Sequence, residues 1–166
     1  GLRINPNNYA PSRQTFINNL YLKNIATGRE LSINGLPAPL NAGAVPWSPN
    51  DKKIAFTHTS NDRVDIYVID LATQQAVKIN QSPLNALLGG SYQWFDDNSL
   101  LYRIALQPAS AAPPKPLMPK GPTIQENYGK ASPRPTFQDL IKSPYDEQLF
   151  AFYATSQLVK NTNGIE

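Results

Sequence analysis

The sequence predicts an all-β fold: a partial β-propeller of about three four-stranded antiparallel blades, carrying a Pro-rich and partly helical insertion. The first observation behind this is a gapless internal repeat. Asn19-Leu20-Tyr21-Leu22-Lys23-Asn24-Ile25-Ala26-Thr27-Gly28 recurs 46 positions later as Asp65-Ile66-Tyr67-Val68-Ile69-Asp70-Leu71-Ala72-Thr73-Gln74, and Leu31 and Ile33 map onto Val77 and Ile79. The second is an offset of 47 that maps Trp47 onto Trp94. Periods of this length belong to stacked or radially arranged units. The third is composition: 16 prolines with only 16% charged residues imply many turns and little exposed helix. A closed ring needs about four to eight blades, and 166 residues hold about three units of this size.

The first unit, residues 1–34, is expected to lack its first strand. It begins at a second strand, Leu2-Arg3-Ile4, and continues through Leu20 to Ile25 and Leu31 to Ile33. The second, residues 35–80, reads as complete. Ala44-Val45-Pro46-Trp47 is its first strand, Ser48-Pro49-Asn50-Asp51 a turn with Pro and Asn/Asp in favoured places, and Lys53 to Thr57 its second strand. Val64 to Leu71 is the third strand, Ala72-Thr73-Gln74-Gln75 a turn, and Ala76 to Ile79 the fourth. In the third strand Ile66, Val68 and Asp70 share one face while Tyr67, Ile69 and Leu71 share the other. Both faces are thus largely apolar, as a sheet covered on both sides requires.

The third unit, residues 81–166, opens with Tyr92-Gln93-Trp94, turns at Asp96-Asp97-Asn98 and continues as Leu100 to Ile104. It resumes only at Gln157-Leu158-Val159, near a turn signal at Asn163-Gly164. The step from Tyr102 to Leu158 therefore places an insertion, residues 107–150, between the second and third strands. Pro108 to Pro122 reads as extended polyproline II. Thr136 with Asp139 resembles a capping box. Ser143-Pro144-Tyr145-Asp146 supplies a capping hydroxyl, a first-position proline and a first-turn carboxylate for a short helix from Pro144 to about Phe152, with Leu149, Phe152 and Tyr153 on its apolar side.

The segment Trp47-Ser48-Pro49-Asn50-Asp51-Lys52-Lys53-Ile54-Ala55-Phe56, followed by Ile66-Tyr67-Val68-Ile69-Asp70-Leu71, resembles the TolB-type propeller repeat. Further segments narrow the resemblance: Gly1-Leu2-Arg3-Ile4, Pro116-Leu117-Met118-Pro119-Lys120-Gly121-Pro122-Thr123-Ile124-Gln125, Thr136 to Ile141, Tyr145 to Phe150 and Tyr153 to Val159. Together these resemble the glutamyl endopeptidase branch of the prolyl oligopeptidase family through nearly the whole chain. The resemblance implies a serine peptidase in which an N-terminal propeller covers a C-terminal α/β-hydrolase domain and limits which peptide substrates enter. It covers early propeller only, so it carries no catalytic residue onto this segment. The hydrolase domain of the same parent chain and a peptide substrate are the implied partners. A non-catalytic TolB-like propeller that mediates protein–protein interaction is the alternative.

The residues themselves agree with a non-catalytic segment. Gly89-Gly90-Ser91-Tyr92-Gln93 lacks the final glycine of a nucleophile elbow and precedes a strand, so it reads as a linker between units. His58, the single histidine, sits at a strand end, where a polar rim residue is expected. One histidine and no cysteine cannot assemble a usual zinc site, and Asp96-Asp97-Asn98 lacks the spaced ligands of a calcium loop and reads as a turn. No metal or cofactor is expected. Trp47 and Trp94 are expected to fill equivalent spaces between units. Lys120, Lys130 and Arg134 of the insertion are candidate substrate-facing residues, since cations there would attract an acidic peptide side chain; solvated loop charge is their plainer reading.

The net charge of +3, with basic residues scattered, gives no nucleic-acid footprint. No apolar stretch reaches the length of a membrane span. The absence of cysteine leaves the redox compartment open. The Gly1-Leu2-Arg3-Ile4 start reads as cut, with any export signal upstream. Terminal units with uncovered sides are expected to promote self-association.

Overall fold

The computed structural model describes residues 3–106, 111–117 and 141–166. Among these residues the fold is mostly sheet with little helix, arranged as four small antiparallel sheets. β1 (Ile4–Asn5) pairs with β2 (Ala10–Pro11), and β3 (Leu22–Lys23) pairs with β4 (Glu30–Leu31). β5 (Lys53–Thr59), β6 (Val64–Asp70) and β7 (Gln75–Lys78) form one meander. β8 (Tyr92–Trp94) and β9 (Ser99–Ala105) are completed by β10 (Ser156–Thr162), which lies on the far side of β9. The helix α1 (Pro144–Ala154) falls between β9 and β10.

Side chains alternate across a strand, and in the middle sheet both faces are apolar. Ala55, Val64 and Ile66 enter one core with Leu84, Leu100 and Tyr102, while Ile54, Phe56 and Ile69 enter a second with Leu40, Ala42 and Ala76. The middle sheet is therefore the wall between two cores. Fully buried side chains such as Phe56 and Ile66 each stabilise it by roughly 1.5–3 kcal/mol.

The repeat is present in the hydrogen-bonding register. Leu22 stands opposite Leu31 and Lys23 opposite Glu30; 46 residues on, Val68 stands opposite Val77 and Ile69 opposite Ala76. The connecting turns match as well. The Asn24 carboxamide oxygen accepts from the Thr27 N–H (2.9 Å), as the Asp70 carboxylate accepts from the Thr73 N–H (3.1 Å). Gly28 and Gln74 close these turns with φ of 69° and 58°. Past the Trp47 and Trp94 positions the offset drops from 47 to 46 for a local reason. The turn closed by the Ser48 N–H on the Lys53 carbonyl is one residue longer than that closed by the Phe95 N–H on the Ser99 carbonyl.

The connections are tied in on both sides. The Ala42 N–H donates to the Ile17 carbonyl (2.9 Å) and Ala42 bridges to His58; the Leu84 N–H donates to the Val64 carbonyl (2.9 Å) and Leu84 bridges to Ile104. Both residues are fully buried.

Several expected elements differ. Of the expected second strand Leu2-Arg3-Ile4, Leu2 lies outside the described residues, and Ile4 pairs with Pro11 rather than beside Leu20 to Ile25, because the turn through Pro6, Asn7, Asn8 and Tyr9 reverses the chain at once. This hairpin packs elsewhere, with Ala10 in the core of Leu84 and Tyr102 and the Tyr9 carbonyl accepting from the Ala86 N–H. The expected strand Ala44 to Trp47 survives only as the bridges Ala42 to His58 and Trp47 to Ile54, which are one residue out of step. That slip is a bulge, at a point where Pro46 has no N–H to give. The larger sheets are accordingly three-stranded rather than four-stranded. The residue opposite Tyr102 is Val159, the counterpart of Tyr67 opposite Phe56, so the register places Leu158 one step before the expected equivalence.

Candidate functional site

A cleft lies at the junction between the β5–β7 and β8–β10 sheets. Lys53 of β5 and Val68 of β6 line it from one side, and Trp94 of β8, Asn98, Asn161 of β10 and Asn163 from the other. Cross-sheet hydrogen bonds hold its walls. The Lys53 ammonium donates to the Asn98 side-chain oxygen (2.9 Å), the Trp94 indole to the Pro46 carbonyl (3.3 Å), and the Asn161 amide to the Ile79 carbonyl (3.2 Å) and the Tyr102 hydroxyl (3.2 Å). Its volume is about 80 Å³. That holds a few waters, well below the roughly 300–1,000 Å³ of a small-molecule site. Its described lining side chains offer no nucleophile paired with a base.

The singled-out residues fall in separate places. His58 stands opposite Asp65 on β6. Its Nδ1 accepts from the Asn41 backbone N–H (3.3 Å), and its ring meets Tyr67 edge-on. Burial lowers the His58 pKa, against a smaller opposing pull from Asp65. Asp65 itself is engaged by Arg63 (2.7 Å) and by the Asn80 amide (2.9 Å). Ser91 lies at the mouth of another sheet, buried, its carbonyl accepting from the Arg103 N–H (3.0 Å). Gly89 and Gly90 both take positive φ, and the Arg103 guanidinium caps their carbonyls.

The Asp96-Asp97-Asn98 string is a turn. The Asp96 carboxylate accepts from the Asn98 N–H (2.8 Å), and this backbone bond leads the causes that hold its pKa below the ordinary value. Among the described residues, no group of three or more His, Cys, Asp or Glu side chains is gathered as a metal would need. Lys120, Lys130 and Arg134 lie outside the described residues, as does the Thr136 and Asp139 capping box.

The two tryptophans part company. Trp94 packs against the core of Leu100 and Tyr102, whereas Trp47 is 51% exposed. Trp94 shares its cleft with Lys53 of β5 and Val68 of β6; in β3–β4, the sheet that the repeat makes the counterpart of β6–β7, no described strand takes the place of β5.

Buried carboxamides that no sequence motif marks tie distant segments together. Asn80 accepts from the Ile66 N–H (2.8 Å), and Asn85 donates to the Tyr153 carbonyl of α1 (2.6 Å). Tyr92, placed only as a strand residue, sends its hydroxyl to the Ala44 carbonyl (2.7 Å), and burial raises its pKa strongly.

No family model matches the chain. Two curated relatives, each named a probable glutamyl endopeptidase, chloroplastic, are similar to it. The one from Oryza sativa subsp. japonica is 30% identical over 173 residues and the one from Arabidopsis thaliana 33% identical over 172. Each alignment covers 96% of this chain, and the chain spans 18% of each relative's own length. The similarity links the chain to peptidase-related proteins.

Proposed function

We propose that this chain is a β-propeller segment of a serine peptidase resembling glutamyl endopeptidases. In this reading the sheets are blades, with residues 1–34 an incomplete first, 35–80 a second and 81–166 a third interrupted by the insertion 107–150. The segment scaffolds and gates peptide access to an α/β-hydrolase domain elsewhere in the parent polypeptide and performs no bond cleavage itself. The observation that carries the reading is the similarity to the two plant proteins along 96% of the chain. The shared register of successive sheets supports its propeller part.

Lys120, Lys130 and Arg134 are proposed to face the substrate, where their charge would favour an acidic side chain. Sequencing the coding region past Glu166 tests the reading: a hydrolase domain with a Gly-x-Ser-x-Gly elbow is expected, and a frame that closes without one would favour the interaction-module alternative. The purified chain is expected to leave glutamyl peptides uncleaved.

A further inference from the structure

β3 lacks a neighbour that its counterpart has. β6 lies between β5 and β7, with Tyr67 opposite Phe56 and Ile69 opposite Ile54, whereas among the described residues β3 has β4 alone. In an antiparallel ladder successive residues bond to alternate sides. The Asn24 N–H donates to the Arg29 carbonyl (2.9 Å), and Leu22 faces Leu31 two residues earlier, so the backbone groups of Tyr21 and Lys23 point to the opposite edge. There they meet no main-chain partner among the described residues. The Tyr21 side chain is 75% exposed, and no proline blunts Leu20 to Ile25.

Trp47 supplies an independent sign of the same vacancy. Its counterpart Trp94 lies in a cleft with Lys53 of β5, while Trp47, with no described strand in the corresponding place, is half exposed. A strand laid on the open edge would stand where β5 stands beside β6 and would cover the indole.

From these we propose that the open edge of β3 accepts an antiparallel strand with the repeat's own second-strand pattern, a small residue between two large apolar ones as in Ile54-Ala55-Phe56, supplied by a further copy of the repeat outside this chain. The small residue falls opposite Leu22, as Ala55 falls opposite Val68. The relatives, of which this chain spans 18%, are long enough to carry further repeats. Main-chain hydrogen bonds give such strand addition its affinity, and the alternate side chains its register. The inference stands on the sheet geometry and not on the peptidase reading.

The test uses the whole chain with a synthetic peptide of the sequence Lys52 to Ser60 and a scrambled control. The peptide is expected to slow amide exchange at Tyr21 and Lys23 by about tenfold or more and to shift Trp47 emission to the blue, a shift absent in Trp47→Phe. Lys23→Pro removes one outward N–H while leaving the Leu22 ladder, and is expected to weaken binding about tenfold; Tyr21→Pro, which removes the other, repeats the test should that variant unfold. Equal binding by the scrambled peptide, unchanged binding by both proline variants, no protection at Tyr21 and Lys23, or protection that appears in the chain alone with rising concentration would each overturn the proposal.

Discussion

The Nδ1 atom of His58 accepts the backbone N–H of Asn41 at 3.3 Å, one residue before the Ala42 that ties two parts of the chain together. A protonated imidazole has no lone pair at Nδ1, so this bond requires neutral His58. Burial, the largest cause, lowers its pKa from the ordinary 6.5, and Asp65 opposes it more weakly. The unfolded chain then binds the proton more readily than the folded one. The contribution is fully present above pH 6.5 and is lost as pH falls through the lowered folded value. Melting temperature should therefore drop on acidification below pH 6.5, and His58→Gln should flatten that slope in thermal scans at several pH values.

Gly35 and Gly28 both have positive φ, 77° and 69°, yet they should respond oppositely to substitution. A Cβ on Gly35 would run into the Ala76 carbonyl and the Gln75 side-chain amide, while one on Gly28 meets nothing within 4 Å. The chain already places Gln74 at the position corresponding to Gly28. Gly35→Ala should cost about 2 kcal/mol or more, and Gly28→Asn should stay within about 0.5 kcal/mol, both read by urea unfolding.

Strands β5, β6 and β9 were legible because hydrophobic alternation and the repeat pointed to the same residues, and Ser143-Pro144 marked the start of α1 because its capping chemistry is local. The pairing of Ile4 was not legible. A two-residue strand carries no pattern that selects between Pro11 and Tyr21, although Pro6-Asn7-Asn8 held a turn signal that favours the nearer partner. The exposure of Trp47 was hidden for the same reason, since it depends on which strand lies beside β3. Buried Asn80, Asn85 and Asn161 carry no local pattern in the sequence, because only the folded chain brings carbonyls to their amides. Of the candidate site little was legible, because the cleft at Trp94 arises from contacts between distant segments.

Asn85 fastens α1 to the connection between β7 and β8. Its amide donates to the carbonyls of Tyr153 (2.6 Å) and Thr155 (3.2 Å), beside the Tyr9 and Tyr153 ring contact. Asn85→Ala would leave the buried Tyr153 carbonyl without this donor, at a cost of about 2 kcal/mol. Ser143→Ala, which removes the side-chain cap on the Asp146 N–H (3.1 Å), should cost about 1 kcal/mol. Hydrogen exchange should quicken across α1 in both variants and stay unchanged in β5 and β6.

Tyr102 is the largest fully buried side chain in the core it shares with Leu84 and Leu100. Its hydroxyl donates to a Glu166 carboxylate oxygen (2.8 Å) and accepts from the Asn161 amide (3.2 Å). Both partners keep a second bond, since Glu166 also accepts from the Gln81 N–H and Asn161 also donates to the Ile79 carbonyl. Tyr102→Phe should therefore cost only about 1–1.5 kcal/mol near neutral pH. Burial, followed by the hydrogen bond to Glu166, raises the hydroxyl pKa far above its ordinary 10.0. Unfolding releases a proton that the folded chain retains, so this stabilisation is complete below pH 10 and is lost as pH rises beyond it. Chemical unfolding between pH 9 and pH 11 should show a steeper loss in the parent chain than in Tyr102→Phe; parallel curves would mean that the phenol is not held neutral by this network.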